Sequence, residues 1–192
     1  MAAALGIRFY DAQDREFVPT GGTLKEIRRI DMSRREKLLD QIELLAMCDI
    51  TNPLTGPEGA AHVFSPQKGA DEGMIQELEA GMVHYASILE QTVQIPKIRE
   101  LPGGGAAGGM GIGMAALLGA KLIPGIQAVL DTVQIDTLAE HADLILTGEG
   151  KIDSQSIHGK VLSGIARRGK ALGIPVVAIA GGIDREALPE LY

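Results

Sequence analysis

Two apolar runs constrain this chain more than any other feature. One, Leu144–Leu146, ends a strand expected over Ala142–Leu146, and the other, "IPVVAIAGG", covers 174–182. Between them Ser154–Leu172 has helix-like apolar spacing and stops at Gly173. A strand, a helix of about five turns and a second strand form a βαβ unit, because a crossover of that length lets two strands run parallel. The second run is apolar throughout, as a parallel strand covered on both faces should be. The chain therefore reads as α/β, with a parallel βαβ unit on its C-terminal side.

The connection inside that unit, "LTGEGKIDSQSIHGK" (146–160), is crowded with ionisable groups. It follows the C-terminal end of a parallel strand, where open α/β sheets bind ligands. Gly148 and Gly150 are expected to turn the backbone sharply. Asp153 or Ser154 is placed to cap the following helix, whose first N–H groups, near Ser154 and Ser156, form an anion site. Lys160 lies one to two turns further on and can reach back to a phosphate. Glu149 and Asp153 are hard oxygen donors of the kind Mg²⁺ accepts. Together these groups suit phosphoryl transfer, in which positioning and charge neutralisation do most of the work. A capped, solvated turn is the bland alternative. The stretch is not a P-loop: Ser154 stands where the first glycine is needed, and Val161 follows Lys160 where Ser or Thr is needed.

Two further stretches carry candidate residues. In "CDITNPLTGPEGAAHVFSPQKGA" (48–70), Asp49 and Asn52 follow an apolar run. Gln67 and Lys68 sit on a tight turn, where Lys68 can hold a carboxylate or phosphate as a point charge. In "LPGGGAAGGMGIG" (101–113), Gly103, Gly105 and Gly108 match G-x-G-x-x-G. The dinucleotide motif needs a strand directly before it, and the lead-in "KIRELP" is charged and ends in proline. A glycine loop entering a helix fits better. Elsewhere the spacing predicts a last helical turn at Ala2–Leu5, a strand at Ile7–Tyr10, a short helix carrying Leu24, Ile27 and Ile30, and a buried strand in "ELLAMCDI". Long and short helices are expected over 71–91 and 136–141.

Composition narrows the function classes. Of 192 residues, 45% are hydrophobic and 3% aromatic, so the core must be aliphatic. A net charge of −7 argues against non-specific binding to nucleic acid or to an anionic membrane. No apolar stretch has the length of a membrane span. Cys48 is the single cysteine, so no intrachain disulfide can form, which suits a reducing, cytoplasmic setting. Four scattered histidines give no metal-ligand spacing, and His62 reads as structural. Both ends look cut, since "MAAALG" lacks a helix cap and "DREALPELY" stops as a helix begins, so a fragment of a longer protein is expected.

Taken in order, "CDITNPLTGPEGAAHVFSPQKGA", "GGGAAGGMG" and "LTGEGKIDSQSIHGK" closely resemble the bacterial type I glycerate kinases. The resemblance runs along nearly the whole chain. Ser65 is a small departure, as glycine is common there in the family. The resemblance implies ATP-dependent, Mg²⁺-assisted phosphorylation of D-glycerate. It also implies a protein nearly twice this length, with an α/β domain inserted into a flavodoxin-like one. Residues 1–134 would then be the inserted domain and 135–192 part of the flavodoxin-like domain. In that setting Glu149 and Asp153 position Mg²⁺ or the attacking hydroxyl, and Asp153 or Asp49 is the general base. Lys160, Ser154 and Ser156 hold phosphate. Asn52, Gln67 and Lys68 help bind substrate, while Gly104, Gly105, Gly108 and Gly109 line the cleft. Homo-oligomerisation is left open. From the residues alone, two other classes remain: a nicotinamide-dependent oxidoreductase using the 103–108 glycines, and a non-catalytic ligand-binding module.

Overall fold

Ile7, Phe9, Ile27 and Ile30 are all buried, and their spacing sets the first sheet. In the computed structural model, which describes residues 1–152 and 161–184, β1 (Arg8–Tyr10) pairs antiparallel with β2 (Glu16–Phe17) and β3 (Arg29–Asp31). The strand order is β2-β1-β3, with Phe9 opposite both Phe17 and Ile30. The Asp11 carboxylate closes the β1–β2 turn by accepting the Gln13 and Arg15 N–H groups, which hold it below its usual pKa. Ile30 was expected on a helix and lies instead on β3. The 3₁₀ turn Gly21–Glu26 ends at Ile27, which is extended, and the Arg28 N–H donates to the Tyr10 carbonyl at 2.7 Å. The edge of β1 thus outcompetes a local helix whose apolar spacing was equally consistent with a strand.

The chain divides into two compact units, Met1–Leu122 and Ile123–Tyr192. In the first, β4 (Leu45–Met47) pairs with β5 (Lys121–Ile123). This strand was expected to be buried, yet Leu45 and Met47 are exposed. The core lies instead around the helices α1 (Ala60–Phe64), α2 (Glu72–Val93) and α3 (Ala106–Leu118). Asp71 caps α2 by accepting the Met74 N–H at 2.9 Å. One face of α2 places Met82, Tyr85, Ile88 and Leu89 in one core cluster with Leu54, Ile112 and Leu117. Burial pushes the Tyr85 phenol well above its ordinary pKa. Arg99 reaches back to α2, donating to Glu90 at 2.7 and 3.0 Å and holding that carboxyl below its usual range.

The second unit holds α4 (Gly125–Thr132), α5 (Ile135–Leu138) and the expected βαβ element. There β6 (Ile145–Ile152) and β7 (Val176–Ile183) run parallel, with α6 (Val161–Leu172) between them in sequence. Ile145 pairs with Val176 and Ile152 with Ile183. Gly169 lets α6 approach the sheet closely: a methyl there would overlap Val176 and come within 2.9 Å of the Ile174 carbonyl oxygen. Arg168 bonds Asp131 and Asp136, tying α4 and α5 to α6. The architecture is α/β. No helix among the described residues is long and apolar enough to cross a membrane.

Candidate functional site

The loop leaving β4 is shaped by its own hydrogen bonds. Cys48 is half-buried and donates its thiol to the Ile50 carbonyl at 3.3 Å. The Asn52 amide nitrogen donates to the Glu58 carbonyl at 2.8 Å, closing the turn that contains Gly56. Leu54 is fully buried and its N–H donates to the Arg99 carbonyl. Asp49 is exposed at the start of the loop.

The glycine loop packs directly onto this segment. The Gly105 N–H donates to the Asn52 carbonyl at 3.1 Å, and a methyl on Gly105 would overlap the Pro53 carbonyl oxygen. A methyl on Gly104 would come within 2.9 Å of the Leu101 carbonyl oxygen. Ala107, Gly108 and Gly109 then take left-handed backbone angles in succession, with φ of 50°, 71° and 94°, before α3 continues. Such a run is strained for a side-chain-bearing residue, and two of its three positions are glycine. The Asn52 and 103–109 motifs, distant in sequence, therefore form one structure. Beside it lies a cavity of about 460 Å³ lined by Leu54, Tyr85, Ala107, Gly108, Gly109 and Gly113, among others. Tyr85 read only as a core residue in the sequence, since its apolar spacing on α2 hid its place on this wall.

Gln67 and Lys68 stand apart from that cavity. They are exposed on the Pro66–Lys68 turn, which ends at Gly69 with φ 93°. Lys68 borders a second cavity of about 370 Å³ with Ser65, Gly69, Met74, Glu77 and Leu78. Ser65 has φ −81°, so this position does not require glycine, and its hydroxyl donates to the Ala61 carbonyl.

In the second unit, Glu149 is half-buried in the middle of β6, opposite Ala180. Gly148 and Gly150 were expected to turn the chain. Both lie within the strand, with no positive φ. The close cross-strand approach is at Gly181, where a methyl would stand 2.9 Å from the Gly150 carbonyl oxygen, whereas a methyl on Gly150 itself would meet nothing within 4 Å. Gly181, lacking a Cβ, lets the β7 backbone come close to Gly150, and the strand continues to Ile152 instead of ending at Leu146. Asp153, Ser154, Ser156 and Lys160 lie outside the described residues. Among the described residues, no group of three or more His, Cys, Asp or Glu could hold a metal ion. Nor does a strand precede the G-x-G-x-x-G match: the Ile98–Glu100 turn does. The nicotinamide reading loses the structural context it needs.

The description "Glycerate kinase family" applies to a family model that matches residues 1–192. The glycerate kinase of Halalkalibacterium halodurans is 44% identical over 96% of this chain and 48% of its own length. The Bacillus cereus glycerate kinase is 46% identical over the same shares, and the Escherichia coli glycerate 2-kinase is 42% identical over 95% of this chain and 48% of its own. A crystal structure assigned to glycerate kinase 2 of Salmonella typhimurium LT2 superposes with a TM-score of 0.82 at 39% identity, covering all of this chain and 55% of that one. The chain spans about half the length of the curated relatives it matches.

Proposed function

This chain belongs to the glycerate kinase family, and from that premise we propose that the whole protein transfers the γ-phosphoryl group of ATP to a hydroxyl of D-glycerate. The observation that carries this reading is the unbroken likeness to the family along 1–192, with all three motifs inside it in order. We read residues 1–134 as an α/β domain inserted into a flavodoxin-like domain, of which 135–192 is a part.

The reaction forms a bond between the glycerate oxygen and phosphorus as the bond to the β-phosphate oxygen breaks. The hydroxyl proton passes to a carboxylate, either Asp153 or Asp49. Glu149 lies on β6 and Asp153 is the next residue after it, so in this reading the pair places oxygens beside the transferring group. Single carboxylates, not a protein cage, are the donors Mg²⁺ accepts when phosphates and water complete its shell, so the residues present fit the ion. Bound there, Mg²⁺ would neutralise charge on the phosphates. Ser154, Ser156 and Lys160 hold phosphate in this reading. Asn52, Gln67 and Lys68 bind substrate, and Gly104, Gly105, Gly108 and Gly109 give the backbone room to approach it. A small-molecule kinase with one cysteine and a net charge of −7 suits the cytoplasm. It calls for neither nucleic acid nor membrane, and a homo-oligomer is compatible with it.

The test is Asp153→Asn in the full-length protein. Turnover with glycerate and ATP should fall about 10²-fold or more. Turnover within about threefold of wild type would remove Asp153 from acid–base and metal work.

A further inference from the structure

One half-buried carboxylate has no part in the roles above. Glu79, on α2, accepts the Gly56 N–H through Oε1 at 2.7 Å. Its Oε2 is buried and has no hydrogen-bond partner among the described residues. Gly56 has φ 96°, and a methyl there would meet nothing within 4 Å. Glycine is therefore needed at this position for the backbone angle and not for space, and that angle aims the N–H at α2.

The turn anchored by Glu79 leads straight to the glycine loop. The Gly59 N–H donates to the Gly56 carbonyl at 2.8 Å and the Ala60 N–H to the Leu54 carbonyl at 3.0 Å. The Asn52 amide closes the same turn on Glu58. From its other side, the Asn52 carbonyl receives the Gly105 N–H, and Leu54 Cδ1 would lie 2.9 Å from a methyl on Gly109. An unbroken series of contacts thus runs from Glu79 through the Gly56 turn to residues 105–109.

A second buried oxygen without a donor is costly, and such atoms in native structures call for a reason beyond stability. We propose that Glu79 is a positioning residue, acting through Gly56 and Asn52 to set the substrate-facing shape of the glycine loop. This rests on the kinase reading for its kinetic consequence, and on the described geometry for its structural one.

Two arms separate the failure of this proposal from the failure of the kinase reading, both on the full-length protein. In the kinetic arm, Glu79→Ala raises KM for glycerate about tenfold or more while kcat falls less than about threefold. Glu79→Gln, which keeps an oxygen for the Gly56 N–H, stays within about threefold of wild type. In the second arm, amide hydrogen exchange in Glu79→Ala speeds up both at 54–60 and at 103–112. A variant whose KM matches wild type, or whose exchange changes along α2 but not at 103–112, overturns the proposal. So does a Glu79→Gln variant as impaired as Glu79→Ala. If the wild type shows no glycerate-dependent turnover, the kinase reading fails and the exchange arm alone decides: faster exchange at 103–112 upholds the coupling, and unchanged exchange overturns it.

Discussion

Gly105 and Gly108 belong to one loop and answer to different constraints. Gly105 faces the Pro53 carbonyl with no room for a methyl, while Gly108 has open space and a φ of 71°. A methyl at Gly105 must push against backbone, because its nearest atoms would be the Pro53 carbonyl and the Asn52 carbonyl oxygen. Gly105→Ala should therefore cost about 3 kcal/mol of unfolding free energy. Gly108→Ala meets only the left-handed penalty of about 1–2 kcal/mol. Urea unfolding of the two variants checks the order, and equal costs would contradict it. The sequence marked both glycines as a loop of close approach but could not separate these reasons. G-x-G-x-x-G spacing says where glycines are, whereas the identity of the neighbour comes from Asn52 and Pro53, far away in the chain. Glu79 was invisible for the same cause. It lies one turn from the buried Ile75 and Met82 on α2, and only the fold brings Gly56 to it.

At the scale of elements, the helix of the βαβ unit lies close on its strands because Gly169 faces Val176 and the Ile174 carbonyl. Replacing a mid-helix glycine with alanine ordinarily gains roughly 1 kcal/mol from propensity. Here the added carbon meets a backbone oxygen that cannot move without shifting β7. Gly169→Ala should accordingly lower the melting temperature, and a rise would show that α6 can tilt away freely. The unit itself was legible, since a long helical pattern between two apolar runs has few other solutions. Long α2 was legible too, through its one-sided apolar spacing. What failed were short elements. Ile27 and Ile30 suit a helix or a strand, and only the pairing of Arg29 and Ile30 with Tyr10 and Phe9 decides. Likewise "TGEGK" looked like a turn because glycine usually interrupts strands. The glycines of "AIAGG" on β7 turn that same composition into a close parallel pair, a long-range fact that local reading cannot reach.

At the scale of the molecule, the chain supplies two compact units, each with candidate residues. The first carries Asp49, Asn52, Gln67, Lys68 and the glycine loop, and the second carries Glu149 and the residues that follow β6. Its relatives are about twice as long, so the proposed reaction belongs to the full-length protein. The measurement that bears most directly on this account is ³¹P NMR of that protein with ATP, Mg²⁺ and D-glycerate. The account predicts a new phosphomonoester signal that grows in step with ADP and requires glycerate. ADP release that is indifferent to glycerate, or no new phosphomonoester at all, would contradict it.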